Sequence, residues 1–357
     1  MAMYPGIERE RRAAAPPLRT FVSGLLESAG MRAADAALVA DLLCAADLRG
    51  VHSHGVLRVP EYLAKLRTGG VDPRGDPAVV SDNGSALVGD GGNSMGQVAA
   101  AFAMERAIER AASTNVAMAA VRGSNHCGAM FPYAMQGLSR DTIGLCATNA
   151  LPTMAPWGGV SKIVGINPLA IAVPAADGAP LVLDAAFSYS SHGKIRIYRQ
   201  KGETLPPGWA FDKRGEPTTD AAEAMEGLLQ PIGEYKGVAL AILFGVLSCL
   251  LSGAAYGTEL GNMVDGPTAG QDGHFFLAIR VAGFTDPALF RRRVDEVVRQ
   301  IRESERARGA VIYAPGGLEA ALEAQYREEG IPLNEATIEG LRRAALDAGF
   351  AGELEVR

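Results

Sequence analysis

Apolar positions recur at helical spacing through the first 70 or so residues. Leu18, Phe21, Val22, Leu25 and Leu26 share one face and predict a helix from Leu18 to Ala29, stopped at Gly30. A second helix is predicted from Ala33 to Leu48, with Leu38, Val39, Leu42 and Leu43 inward and Gly50 beyond its end. A third is predicted from Val56 to Leu66, closed by Gly69-Gly70. From Pro77 the pattern shifts to short apolar runs. Strands are predicted at Ala86–Val88, Val116–Val121, Ile143–Ala147, Leu169–Val173, Leu181–Leu183 and Phe275–Ile279. An alanine-rich helix is predicted from Gln97 to Ser113. Ser190 to Glu234 is polar and rich in Lys, Arg, Gly and Pro, which predicts a small excursion between core elements. Val238 to Leu251 is apolar on every side, too short to span a bilayer, and predicts a buried core helix. From Asp286 the helical period returns, with Val294, Val297, Val298 and Ile301 on one face. Three parts follow: a helical part at 1–76, an α/β part at 77–285 with a polar subdomain at about 190–234, and a helical part at 286–357 packing with the first.

Composition narrows the partners. The chain has 357 residues, 48% of them hydrophobic, enough for a large core. The formal net charge of −6, with no long basic run, argues against nucleic acid or an anionic membrane. Cys44, Cys127, Cys146 and Cys249 are widely spaced with no CxxC pair, which fits a reducing compartment and predicts no metal site. The N-terminal residues lack the apolar core of a secretory signal, so a cytoplasmic location is expected.

Candidate chemistry concentrates in the run Asp47-Leu48-Arg49-Gly50-Val51-His52-Ser53-His54-Gly55-Val56-Leu57-Arg58. Two of the five histidines lie here, and a third, His126, lies in Ser124-Asn125-His126-Cys127-Gly128. Histidine exchanges protons near neutral pH. Arg58, four residues past His54, shares its face if the stretch is helical. A cation beside a proton donor suits a small anionic substrate whose adjacent carbonyl or imine is protonated. Other chemistries lack their frames. The loop Gly89 to Gly96 has Ser94 at the third GxGxxG position and reads as a turn. Gly193-Lys194 is followed by Ile195, so no Walker motif forms, and GxSxG and HExxH are absent. His52 and His54, two apart, point to different helix faces, while His192 and His274 read as structural.

Seven segments, in order, resemble one known family: DLRGVHSHGVLRVPEY, VRGSNHCGAMFPYA, TNALPTMAPWGG, GINPLAIAVPA, LVLDAAFSYSSHGKI, PPGWAFDKRGEPTTD and EYKGVALAILFGVLSCLLSGAAYG. The chain resembles the type 2 malate/L-lactate dehydrogenases, NAD(P)-dependent 2-oxo-acid oxidoreductases without a Rossmann fold. The resemblance implies an α/β cofactor domain with a mixed or mainly antiparallel sheet, a helical domain built from both termini, and a homodimer with the site near the subunit boundary. It implies that Arg58 holds the substrate carboxylate, with Ser53 in the same pocket and Asn149 and Ala150 on the substrate side. His54 and His126 match histidines assigned as proton donor or acid/base in different members, and His54 is expected to act directly while His126 orients the substrate. Leu183, Asp184, Ala185 and Ala186, then Tyr235 and Lys236, then Gly316 and Gly317 match cofactor-binding segments. The chain departs from the family at Gly317, usually acidic, and at Phe187, usually small or hydroxylated. The cofactor is expected to be NAD or NADP with a lean to NAD, although Lys194, Arg196 and Arg199 could take a 2′-phosphate or form a solvated face. The expected activity is hydride transfer between NAD(P)H and a small 2-oxo or 2-hydroxy acid. Reduction of a cyclic imino acid stays open, because it needs the same arginine and proton donor. A catalytically dead nucleotide sensor is the third reading, and the retained Ser53, His54, Arg58, His126 and Lys236 speak against it.

Overall fold

The computed structural model describes residues 5–261 and 270–357. Helices α1 (Ala15–Ser28) and α2 (Ala33–Leu48) pack together, and α1 starts ahead of its first apolar residue because prolines occupy its first turn. The third expected helix is broken. Two 3₁₀ turns, His52–His54 and Val56–Arg58, precede α3 (Val59–Arg67). Arg58 therefore caps α3, and the expectation that it shares a helix face with His54 does not hold.

One seven-stranded sheet carries the middle of the chain. Its strands are β1 (Ala78–Asn83), β2 (Ala86–Asp90), β3 (Val116–Ser124), β4 (Thr142–Thr148), β5 (Leu169–Val173), β6 (Leu181–Ala185) and β7 (Asp272–Arg280). Their order is β1-β2-β3-β7-β4-β5-β6. Only β2 and β3 are parallel, joined through α4 (Gly96–Thr114), and every other pair is antiparallel. This is the mainly antiparallel mixed sheet that the resemblance implies. Strand β1 had no sequence signal, because an almost fully exposed strand shows no apolar alternation.

Small residues set the layer spacing. Ala99, Ala100, Ala103, Ala107 and Ala111 of α4 meet Ala117, Ala119 and Ala278 of the sheet, so the helix lies close on it. The short helix α5 (Phe131–Met135) extends this layer. The other face is covered by α8 (Tyr235–Cys249), where a side chain at Gly273 would strike Ser248 and Cys249. The expectation of a wholly buried helix here needs correction. Gly237, Val238, Ala241, Gly245, Ser248 and Cys249 face inward, whereas Leu240, Leu243, Leu250 and Leu251 are exposed. The helix is apolar all round but covered on one side only.

The excursion after β6 contains α6 (His192–Lys201), α7 (Ala221–Glu226) and a three-stranded sheet of two-residue strands. Ile195, Ile197, Tyr198, Leu205 and Leu229 give it an apolar core. After β7, α9 (Pro287–Glu303) reaches the α/β part through Arg291–Asp141 and Asp177–Asp295 contacts. Of its expected apolar face only Val294 is buried. Helices α10 (Gly317–Glu329) and α11 (Glu335–Ala348) contribute Tyr326, Ile338 and Leu341 to the core of α1–α3. Between them Ile331–Leu333 pairs with Arg11–Ala13.

Two glycines report opposite constraints. At Gly96 an added Cβ would overlap the carbonyl oxygens of Asn125 and His126, because α4 begins against the His126 loop. At Gly340, inside α11, the nearest atom to an added Cβ is Pro60 Cγ at 3.7 Å. We expect Gly96→Ala to lower unfolding free energy by about 1–3 kcal/mol and Gly340→Ala to raise it by about 0.5–1 kcal/mol in urea titrations. Equal stability in both variants would mean that α4 does not press on the loop.

Candidate active site

The site begins with a buried carboxylate. Asp47, in the last turn of α2, is 1% exposed. Its Oδ1 accepts from His52 Nδ1 at 2.7 Å and its Oδ2 from the Val56 backbone N–H at 2.8 Å. Gly55 lies so close that any side chain there would overlap the carboxylate. These contacts hold the chain in two tight turns where its apolar pattern alone would continue a helix. The turns present Ser53, His54 and Arg58.

Arg58 is buried and partly tied down. Its Nε donates to the Ser53 carbonyl at 2.8 Å and its Nη1 to Glu61 Oε2 at 2.7 Å. Glu61 also accepts from Arg196 Nη1 of α6 at 2.5 Å. Burial pushes the Glu61 carboxyl up, but the two guanidinium groups outweigh it and hold the pKa below the ordinary value. A guanidinium has five N–H donors, so Arg58 keeps donors for an incoming anion.

The loop after β3 brings His126 beside His54, with ring centroids 5.7 Å apart and planes within 12°. Gln97 donates to the Tyr62 oxygen at 3.0 Å, and the Tyr62 hydroxyl meets His126 Nδ1 at 2.8 Å. The Gly128 N–H points at the same nitrogen from 3.3 Å. With donors converging on it, Nδ1 is the accepting nitrogen and the proton of His126 sits on Nε2. His54 Nδ1 is 2.9 Å from Ser53 Oγ, which leaves its Nε2 free. Burial first, then Arg58, push the His54 pKa down to about 3; burial, Arg58 and His54 hold His126 well below its ordinary value. Both rings are neutral at neutral pH.

Ser53, His54, Gly128, Met130, Asp184, Ala185, Ala186 and the segment Ser188 to Ser191 line a cavity of about 380 Å³. Asp184 Oδ2 accepts the Met130 and Phe131 N–H groups, both at 2.8 Å, so its carboxylate fastens the start of α5. Burial lifts its pKa to about 6 against those two bonds. Leu183 points away from the cavity and is exposed. Gly316, at φ +81°, packs on Val182, whose N–H donates to Pro315 at 3.1 Å; Gly317 starts α10. Tyr235 and Lys236 are exposed at the start of α8.

Asn149 and Ala150 follow directly on β4. The Asn149 amide donates to Ala255 and accepts from Gly273, while the Ala150 N–H donates to Asn167 Oδ1. Like Arg58 and His126, they are not among the residues that line this cavity, and their polar groups tie down the end of β4. Cys127 lies against His274 at 3.9 Å, its thiol pKa raised by burial, and is no nucleophile. Among the described residues no cluster could hold a metal ion. Sequence reasoning gave no role to Asp47, Glu61, Tyr62 or Gln97, and it considered Arg196 only for a 2′-phosphate, not as a partner of Glu61. Tyr62 alone carried a local signal, four residues past Arg58.

The malate/L-lactate dehydrogenase family model matches residues 14–342. The L-sulfolactate dehydrogenase of Methanocaldococcus jannaschii is 35% identical over 332 residues, covering 93% of this chain and 96% of the relative. The NAD(+) ureidoglycolate dehydrogenase of Escherichia coli O157:H7 is 32% identical, covering 88% of this chain and 90% of the relative. The solved delta1-piperideine-2-carboxylate reductase of Pseudomonas syringae superimposes with a TM-score of 0.83 at 29% identity, covering 94% of this chain and 99% of that one. The fold, the order of the motifs and these matches agree. The chain belongs to the malate/L-lactate dehydrogenase family.

Proposed function

We propose that this dehydrogenase moves a hydride between NAD(P)H and a small 2-oxo or 2-hydroxy acid, with Arg58 holding the carboxylate and His54 moving the proton. The observation that carries the reading is the buried Arg58, with donors to spare, beside two stacked neutral histidines. The small residues Gly128, Ala185 and Ala186 leave room in the cavity for the flat nicotinamide ring. The backbone of the Ala185 to Ser191 segment and Ile232 would hold the cofactor. Bound there, the dinucleotide supplies the hydride.

The proton follows from the ring nitrogens. In hydroxy-acid oxidation, neutral His54 takes the hydroxyl proton at Nε2 while Nδ1–H donates to Ser53. His126 Nε2–H donates to the substrate oxygen. In reduction His54 returns the proton to that oxygen. General acid–base help of this kind is worth about 10²–10⁴-fold. An anion on Arg58 also removes part of what depresses His54, so its pKa rises when substrate binds.

The lean to NAD is supported by two occupied cations. Arg196 is paired with Glu61, and Lys194 lies 4.7 Å from the Trp209 ring centroid. That leaves fewer free charges for a 2′-phosphate, although a relative named for NADP(+) is also similar to this chain. The exposed leucines of α8 support a homodimer. The net charge of −6 speaks against nucleic acid, and no helix among the described residues is long and apolar enough to cross a membrane. Four buried free cysteines fit a cytoplasmic setting.

Three outcomes test this reading. Arg58→Lys should lose about 100-fold in kcat/KM for carboxylate substrates with dinucleotide affinity unchanged, because lysine keeps the charge but not the planar fork. Collapse of dinucleotide binding with normal turnover would move Arg58 to the cofactor site. Calorimetry in buffers of different ionisation enthalpy should show proton uptake when 2-oxo acid binds, since the bound-state pKa exceeds the free value of about 3. Affinity should then fall as pH rises through the bound-state pKa. His54→Asn should abolish both effects and most turnover; uptake that survives in His54→Asn but not in His126→Asn transfers the role. Leu243→Glu should convert the dimer to monomer in light scattering, and an unchanged mass would place the interface elsewhere.

A further inference from the structure

The ring of His274 is fully buried near the start of β7, with β3 paired on one side and β4 on the other. The pairing with β3 is irregular at this point. Between the pairs Ser124–Asp272 and Val121–His274, β3 has two residues and β7 has one. Gly123, at φ +65°, lies in that irregular stretch, where a left-handed backbone favours glycine. A bulge of this kind re-aims the side chains beside it. Ser124, at the end of β3, meets His274 Nε2 with its hydroxyl at 2.7 Å. Thr148, at the end of β4, meets Nδ1 with its hydroxyl at 2.8 Å. One imidazole therefore bridges the two strand ends.

The neighbours fix its donor and acceptor roles. The Asn149 and Gly273 carbonyl oxygens lie 3.1 and 3.3 Å from Thr148 Oγ1 and accept its proton. Thr148 Oγ1 then accepts from His274 Nδ1–H, and Nε2 accepts from Ser124. Burial pushes the ring pKa down to about 4, against the carbonyls of Asn125 and Gly273, so the ring is neutral. The same ring touches the chain on both sides of His126. It holds Ser124 through Nε2, and Cys127 Sγ lies 3.9 Å from its Nδ1. Asn125 is tied separately, its amide donating to Asn93 Oδ1 and the Ser94 carbonyl. The backbone around His126 is thus anchored before its ring reaches Tyr62.

We propose that His274 is a positioning residue for proton transfer: by bridging Ser124 and Thr148 it fixes the exit of β3 and holds the His126 ring with Nδ1 on Tyr62 and Nε2–H toward the substrate. The proposal rests on the reading of His126 as a donor to the substrate oxygen. A misplacement of about 1 Å at such a group costs about 100-fold in rate.

The test uses three variants of the full chain: His274→Gln, His274→Leu, and the triple variant Ser124→Ala/Thr148→Val/His274→Leu. The first readout is the ¹⁵N spectrum of labelled histidines, with His126 assigned from the signals lost in His126→Asn. Wild type should show an unprotonated Nδ1 and a protonated Nε2 at His126. His274→Leu should average the two signals, because the ring loses its fixed seat. His274→Gln should keep them distinct, since its amide can donate to Thr148 and accept from Ser124. The second readout is turnover of oxaloacetate and pyruvate with NADH and NADPH. His274→Leu should lose about 100-fold in kcat with dinucleotide affinity unchanged, and His274→Gln should lose less than about tenfold. The triple variant leaves no hydroxyl unpaired, so its melting temperature should recover toward wild type while kcat stays low. Turnover that recovers with the melting temperature would make His274 a packing residue and overturn the proposal. So would equal loss in His274→Gln and His274→Leu, or an unchanged His126 spectrum in His274→Leu. If His126→Asn turns over like wild type, or neither acid is reduced, the reading of His126 fails separately. The spectra then decide alone whether His274 seats the His126 ring.

Discussion

The site depends on one buried acceptor. Asp47 spends both carboxylate oxygens on the segment immediately after its own helix, one on the His52 ring and one on the Val56 backbone. An ionised carboxylate away from water is costly unless it is hydrogen-bonded, and such bonds are among the stronger ones available. Ser53, His54 and Arg58 are therefore set by the need to pair Asp47 rather than by the apolar pattern. Gly55 belongs to the same constraint, since only the absence of a side chain lets the turn close on the carboxylate.

Charge at the clamp is graded rather than maximal. Glu61 sits between Arg58 and Arg196 and accepts from both. Without it, two guanidinium groups would face each other in a poorly solvated pocket. With it, the arginines are held in fixed positions and retain a net positive field. Burial first, and that field second, keep the histidines neutral, which is the form needed to accept a proton. The Gln97–Tyr62–His126 chain extends this control from charge to tautomer.

Much of the fold was legible because its elements carry periodic apolar faces. Helix α2 begins and ends where Leu38, Val39, Leu42 and Leu43 place it, and the strands from Val116 onward follow their apolar runs. What failed did so for physical reasons. The break before α3 follows from a side chain nine residues away from the N–H it accepts, which no periodicity encodes. Strand β1 is held by its hairpin with β2, not by burial. Helix α8 showed that apolar composition does not say how many sides are covered. At the site, His54, Arg58 and His126 stood out by residue type and neighbourhood. Tyr62, Gln97 and Glu61 did not, because their roles come from donors and acceptors brought together across the fold. Asn149 carries a residue type suited to substrate, yet its amide is consumed by Ala255 and Gly273.

Strand β7 has a consequence for how the molecule is made. It fills the centre of the sheet between β3 and β4, yet it comes from residues 272–280, after the other six strands. Until that segment has left the ribosome, β3 and β4 each present a bare edge of N–H and C=O groups that no local element covers. The growing chain thus passes through a long interval in which two half-sheets exist without the strand that joins them. Sheet closure awaits this late and distant pairing, which makes folding slow and the nascent chain dependent on protection from edge-to-edge association.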